Sequence, residues 1–230
     1  MYIKDLHSWA ITPGEAAQIQ NQLRSKIIDK DDLDEIQFVA GMDIGFKGNL
    51  ARSSIVVLRY SDLEPVDLAV AEATVSFPYV PGLLSFRETP LLLEAAKKLR
   101  TEPDLIIADG HGLAHPRRFG IACHLGLILD KPAIGCAKSR LCGTYNEPGN
   151  GKGASEHIHD KGEIIGAVLR SRSNVNVVYV SVGHRVSLKT AIELTLSCCN
   201  QYRIPETTRY AHKVASGESV SLVQQMSIFN

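Results

Sequence analysis

The run Phe38-Val-Ala-Gly-Met-Asp-Ile-Gly-Phe46 constrains the chain more than any other stretch. It is apolar and β-prone, with a charge-rich segment before it and a Gly48-Asn49 turn after it. That is the pattern of a strand buried on both faces. Asp43 sits in its middle, where an unpaired carboxylate costs several kcal/mol unless a cation or hydrogen bonds satisfy it. A second run, Asp104-Leu-Ile-Ile-Ala-Asp109, also ends in a carboxylate and leads into Gly110-His111-Gly112. Two buried strands that each bring an acid to one end of a sheet suit a divalent cation. The simpler alternative is that each Asp caps the turn or helix that follows it. Both acids together, each beside a glycine loop, favour the cation.

Composition removes several classes. At 230 residues the chain has length for one sizeable domain, spanning residues 1–230. Its 25 basic and 25 acidic residues cancel, so any nucleic-acid binding must come from a local patch rather than bulk charge. Five cysteines, with no Cys-x-x-Cys spacing, fit a reduced interior rather than a disulfide framework. No apolar span of membrane length and no signal-peptide pattern stands near Met1. A soluble cytoplasmic protein without a membrane partner is expected.

In chain order, Thr12-Pro13-Gly14-Glu15 is a capping box that starts a polar helix to about Ile28. A charged connector, Asp29 to Glu35, precedes the Asp43 strand. Ser53–Arg59 and Val66–Val75 follow as strands after short polar turns, which implies an antiparallel meander. Phe77 to Gly82 holds two prolines and a glycine and excludes a central strand or helix. Thr89-Pro90 reads as the cap and first residue of a helix ending near Leu99, with Glu88 at its mouth. His115-Pro116 opens a helix through about Leu129, and Ala133–Ala137 is a short buried strand, so a βαβ unit with parallel pairing is expected. Residues 143–162 read as a long loop or small insertion. Glu163–Arg170 and Asn176–Val182 read as strands around a Ser173-Asn174 turn. Ser187 caps a helix to about Asn200, and Pro205 starts another carrying Arg209 and His212. A meander followed by βαβ is the ribonuclease H-like order: a single α/β domain with a mixed sheet flanked by helices, its first and fourth strands side by side.

That order brings Asp43 and Asp109 together, with Glu88 nearby. Three hard oxygen ligands suit Mg²⁺, which keeps waters and accepts phosphate oxygens. Glu88 alone is equally read as a charge favouring a helix N-terminus. His111 and His115 have the four-residue spacing of helical zinc ligands, but Gly110 and Gly112 argue against a helix there. His184 reads equally as a satisfied turn residue, and His212 as structural unless its helix face meets the acids. Lys138, Arg140, Arg117 and Arg118 flank the same end of the sheet, where they would neutralise phosphate or simply be solvated. On residues alone the chemistry is Mg²⁺-dependent phosphodiester hydrolysis. An actin-like or sugar-kinase ATP site fits Asp43-Ile-Gly loosely but needs two similar subdomains. A non-catalytic nucleic-acid module would find three acids beside a phosphate counterproductive.

Several motifs together resemble endonuclease V over about residues 10–215: Asp43-Ile-Gly, Pro78-Tyr-Val-Pro-Gly-Leu-Leu-Ser-Phe-Arg-Glu88, Asp109-Gly-His-Gly, His115-Pro116, Lys138-Ser139, Gly183-His184-Arg185 and Arg209-Tyr-Ala-His212. The resemblance implies a ribonuclease H-like enzyme acting with Mg²⁺, or Mn²⁺ as a substitute, on DNA containing deoxyinosine. It would hydrolyse the second phosphodiester bond 3′ to the lesion and leave 3′-hydroxyl and 5′-phosphate ends. Inosine-containing RNA is the alternative substrate, and a monomer is expected. By the same resemblance Asp43, Glu88 and Asp109 would be metal ligands, and Lys138 and His212 further catalytic residues. Pro78, Tyr79, Val80 and Pro81 would form a strand-separating wedge, with Val80 where Ile is frequent. The flipped base would lie among Gly82, Leu84, Gly110, Gly112, His115, Gly120, Ile121 and Leu141.

Overall fold

The computed structural model describes residues 1–223; residues 224–230, which the single-domain reading of 1–230 includes, lie outside the described residues. In chain order the elements are α1 (Pro13–Leu23), β1 (Phe38–Lys47), β2 (Leu50–Arg59), β3 (Pro65–Thr74), α2 (Leu84–Ala96), β4 (Leu105–Ala108), α3 (Ile121–Leu129), β5 (Ala133–Ala137), β6 (Ser155–Asp160), β7 (Glu163–Leu169), β8 (Val178–His184), α4 (Leu188–Ser197) and α5 (Glu206–Ala215). The strands form one eight-stranded sheet in the order β3-β2-β1-β4-β5-β8-β7-β6. β1, β2 and β3 are the antiparallel meander. β4 is parallel to both β1 and β5, the latter across the α3 crossover. The expected mixed α/β architecture is therefore present.

Layering follows from alternation along the central strands. Ala40, Met42, Ile106 and Ala108 point to one face and pack with α2 and α3 residues such as Leu92, Leu125 and Ile128. Val39, Leu105, Ile107 and Ile134 point to the other and pack with Ala191, Ala211 and Val214 of α4 and α5. β4 is buried along its whole length, which is why it reads as an uninterrupted apolar run.

One packing detail positions the site. Gly41, Asp43 and Gly45 alternate onto the face that carries α5. A Cβ on Gly41 would lie 2.0 Å from the Thr207 carbonyl oxygen, and one on Gly45 would lie 2.7 Å from that of Ala215. The two bare backbone positions let α5 lie directly along β1. Ser54, opposite Asp43 in the register, latches the helix by donating from Oγ to the Ala211 carbonyl at 2.6 Å.

Several boundaries differ from the sequence reading, each for a local reason. α1 ends at Leu23 and gives way to a 3-10 turn over Arg24–Lys26 instead of running to Ile28. α2 begins at Leu84, with Pro90 inside it, so Thr89-Pro90 is not its start. Gly82, at φ 79°, has already turned the chain, and the helix grows from Leu83. Glu88 consequently sits in the second turn rather than at the mouth, where a helix dipole would explain it. α3 begins at Ile121, not His115: Arg118, at φ 55°, interrupts any helix from Pro116, and Gly120 is the N-cap. Part of the supposed 143–162 loop is β6, an edge strand antiparallel to β7. Only Ile158 of its six residues is buried, so it offers no apolar run to read. Among the described residues no helix is long and apolar enough to cross a membrane, and all five cysteines are unpaired.

Candidate active site

The parallel register Met42↔Ala108 places Asp43 and Asp109 at the same end of adjacent strands. The Asp109 amide donates to the Met42 carbonyl at 3.2 Å, which holds the two chain ends level. Asp43 Oδ1 accepts its neighbour's amide, Ile44 N–H, at 2.8 Å. That is the local capping expected of an isolated Asp, but it uses one oxygen only. Oδ2 faces α5 and accepts from His212 Nδ1 at 2.8 Å. Lys138, the residue after β5, donates from Nζ to Asp109 Oδ2. Arg203 in turn donates to the Lys138 carbonyl at 3.1 Å.

Glu88 approaches from α2. Burial pushes its carboxyl up to about 8, and the charges of Asp43 and Asp109 push the same way. Asp43 is also raised, first by burial and then by Asp109, against the opposing hydrogen bonds from His212 and Ile44. Asp109 thus makes Asp43 and Glu88 harder to ionise, Asp43 adds to the effect on Glu88, and a shared cation is the chemistry that relieves this. A donor set of three carboxylates suits a hard divalent ion. Among the described residues no three His, Cys, Asp or Glu side chains converge closely enough to coordinate one ion as they stand. Lys138 and His212 hold the outer oxygens of Asp109 and Asp43 instead.

Next to the acids lies a cavity of about 260 Å³. Of the residues expected around a flipped base, Gly82, Leu84, Gly110, His115, Gly120, Ile121 and Leu141 line it, and Tyr79, Val80 and Pro81 of the expected wedge stand in the same wall. Gly112, of the base-lining set, and Pro78, of the wedge, do not line it. Gly112 is behind the wall, where a Cβ would meet the Val182 carbonyl oxygen at 1.9 Å, and its own carbonyl accepts from Gly120 N–H. Tyr79 is 73% exposed at the rim, while His115 is buried. Gln20, Ser85, His111, Ser139 and Arg140 also line the cavity and were not expected to. Ser139 and Arg140 adjoin Lys138 and could have been found by that proximity. Gln20 had no signal, being one polar residue on a polar helix.

The histidines separate by their partners. His111 bonds through Nε2 to the Ser139 carbonyl at 3.0 Å. His115 uses both ring nitrogens, Nε2 on the Gly82 carbonyl and Nδ1 on the Arg117 amide, so the pair offers no zinc site. His184 lies at the opposite end of β5 from Lys138, and its Nδ1 accepts from Ile28 N–H at 3.2 Å, a structural role. Arg117 is turned onto Gln20 and Gly82, and Arg118 pairs with Asp160 and Glu163, so neither is a solvated surface charge.

Comparison with known proteins adds to this geometry. The family model described as Endonuclease V matches residues 21–213. Endonuclease V of Roseiflexus sp. (strain RS-1) is 52% identical over 208 residues, covering 90% of this chain and 94% of that protein. The crystal structure of Endonuclease V from Streptomyces avermitilis superposes with a TM-score of 0.87 at 39% identity, over 94% of this chain and 97% of that one. Ciona intestinalis Endonuclease V, crystallised with a 24-mer DNA containing an inosine followed by a ribo-adenosine, superposes with a TM-score of 0.77 at 29% identity, over 89% and 96% of the two chains. Similarity of this depth, running from the last turn of α1 to the His212 turn of α5, means that the chain belongs to the endonuclease V family and is an endonuclease.

Proposed function

We propose that this endonuclease takes a hypoxanthine base, flipped out of DNA, into the 260 Å³ cavity and hydrolyses the second phosphodiester bond on its 3′ side. The products carry 3′-hydroxyl and 5′-phosphate ends. The observation that carries the reading is the adjacency of cavity and acids: Gly110 lines the cavity and follows Asp109 directly. A base held there keeps its strand against the carboxylates. Support also comes from the Ciona relative, which was crystallised with inosine-containing DNA.

Flipping a base costs a few kcal/mol. Tyr79, exposed at the rim, can stack into the gap left behind, which is worth about 1–3 kcal/mol. Its loop is restricted by a turn in which Leu83 N–H donates to the Val80 carbonyl at 2.9 Å across Pro81 and Gly82. Within the pocket, a backbone N–H aimed at O6 and a carbonyl accepting N1–H match hypoxanthine. Adenine sets donor against donor and acceptor against acceptor, a mismatch worth on the order of 10⁴-fold.

Asp43, Glu88 and Asp109 would hold Mg²⁺, with Mn²⁺ as a substitute. When bound, the ion supplies neutralisation of the charge that builds on the phosphodiester during cleavage. Lys138 Nζ, anchored on Asp109, offers a second positive charge to the scissile phosphate. His212 donates from Nδ1 to Asp43, the tautomer that leaves Nε2 as a base able to take a proton.

The test is nicking of matched oligonucleotides carrying inosine or adenosine at one position, in DNA and in RNA, with Mg²⁺, Mn²⁺ or chelator. Inosine-dependent cuts at the second 3′ bond, abolished by chelator, are expected. Equal cutting of adenosine strands, or cutting that survives chelation, would refute the reading.

A further inference from the structure

The residue joining α1 to the rest of the site is Gln20, which stands just before the stretch that the family model matches and is 1% exposed. Its amide is fully committed. Nε2 donates to the Gly82 carbonyl at 3.0 Å and to the Phe119 carbonyl at 2.8 Å, and Oε1 accepts from Arg117 Nε. The Gly82 carbonyl receives two further donors, His115 Nε2 at 3.0 Å and Arg117 Nη2 at 2.7 Å. His115 is oriented for this because its Nδ1 accepts from the Arg117 amide at 3.1 Å, leaving the proton on Nε2. Three donors from two separate elements therefore converge on one carbonyl of the Tyr79 loop. A carbonyl has only two lone-pair directions, so this crowding fixes the peptide more tightly than an ordinary turn. Gly82 is itself at φ 79°, where another residue would be strained, and a Cβ there would crowd the Arg117 guanidinium at 2.9 Å.

We propose that Gln20 is a positioning residue for base capture: with Arg117 and His115 it clamps the Gly82 carbonyl, and so sets where the Tyr79 wedge stands relative to the pocket. Gln20 touches neither the acids nor any reacting atom, so it acts through the loop. This rests on the base-capture reading above. Preorganised loops bind without a further ordering cost, and displacement by about 1 Å in a positioning element can cost 10²-fold.

The experiment combines amide hydrogen exchange over residues 79–83 with single-turnover nicking of an inosine duplex at varied enzyme concentration. In Gln20→Leu, exchange at 79–83 should rise, and the half-saturating concentration should increase roughly 10- to 100-fold. The saturated nicking rate should stay within about twofold of the parent, since the reacting groups are untouched. Gln20→Glu keeps the side-chain volume and the Arg117 contact but turns a carboxylate oxygen onto two carbonyls. It should show the same signature, and it serves should the leucine variant fail to fold. Asp67→Asn, which weakens a buried cap on Arg100 and Thr101 amides, should lower the melting temperature without either effect. Unchanged exchange at 79–83, unchanged half-saturation, or a fall in saturated rate alone would overturn the clamp. Equal half-saturation of the parent enzyme on inosine and adenosine duplexes would instead sink base capture itself, and the clamp's role with it; that outcome is distinguishable because it involves no variant.

Discussion

Replacing Gly41 by alanine tests how the site is held. The new Cβ would stand 2.0 Å from the Thr207 carbonyl oxygen, 2.2 Å from its carbon and 2.8 Å from the Thr208 nitrogen. All three are backbone atoms of α5 and cannot swing aside as a side chain would. The helix must retreat by on the order of 1 Å to reach van der Waals distance. Overpacking of that kind costs about 1–3 kcal/mol, or roughly 2–12 °C of Tm for a chain of this size. The retreat also draws His212 away from Asp43 Oδ2, now 2.8 Å from its Nδ1. Because a 1 Å displacement at such a group can cost about 10²-fold, single-turnover nicking should fall by that order even at temperatures where the variant is folded. Gly151→Ala is the control, since a Cβ there meets nothing within 4 Å and the φ is ordinary; it should change neither Tm nor rate. A Gly41→Ala variant with parental Tm and parental nicking would refute the direct seating of α5 on β1.

Tyr79→Ala should weaken binding to inosine duplexes about 5- to 150-fold while the rate of bound substrate is kept; a fall in rate with affinity intact would remove the wedge role. Leu141, 43% exposed at the cavity, should exclude guanine-type bases by contact. Leu141→Ala should therefore admit xanthosine while adenosine stays rejected, as read by nicking of single-position oligonucleotides; equal gains for both would show a pocket that reads shape alone. Burial pushes His184 down to about 4, with Arg185 adding to it. The unfolded chain takes that proton near pH 6.5 (about the free value), so the stability this residue confers is complete above that pH and is lost as pH falls towards 4. Tm measured between pH 7 and pH 4.5 should fall less steeply in His184→Asn than in the parent, and an unchanged slope would contradict it.

The meander of β1 to β3 and the β4-α3-β5 unit, and with them the meeting of Asp43 with Asp109, were legible because their strands are uninterrupted apolar runs, which local pattern reports well. The boundaries of α2 and α3 were not, since threonine and proline at positions 89 and 90 imitate a helix start, and the positive φ of Arg118 leaves no mark on its residue type. β6 was invisible for the reason that edge strands usually are: one wet face and a single inward apolar residue. For the site, glycines 82, 110 and 120 line the cavity as their loops suggested. Gly112 carried the same signal but serves packing against β8, a distinction only the tertiary register makes. Gln20 illustrates the limit, because its role depends on Gly82 and Phe119, 62 and 99 residues away.

In the proposed reading Asp43, Glu88 and Asp109 hold one divalent cation together. Mn²⁺ titration followed by electron paramagnetic resonance tests it most directly, using the parent enzyme beside Asp43→Asn, Glu88→Gln and Asp109→Asn. Each substitution removes a carboxylate ligand at nearly constant volume, so the fold is retained while the donor set for the cation is depleted. Saturable Mn²⁺ binding by the parent, weakened in all three variants, is expected together with loss of inosine-dependent nicking. Parental Mn²⁺ affinity in any one of them would contradict the shared site.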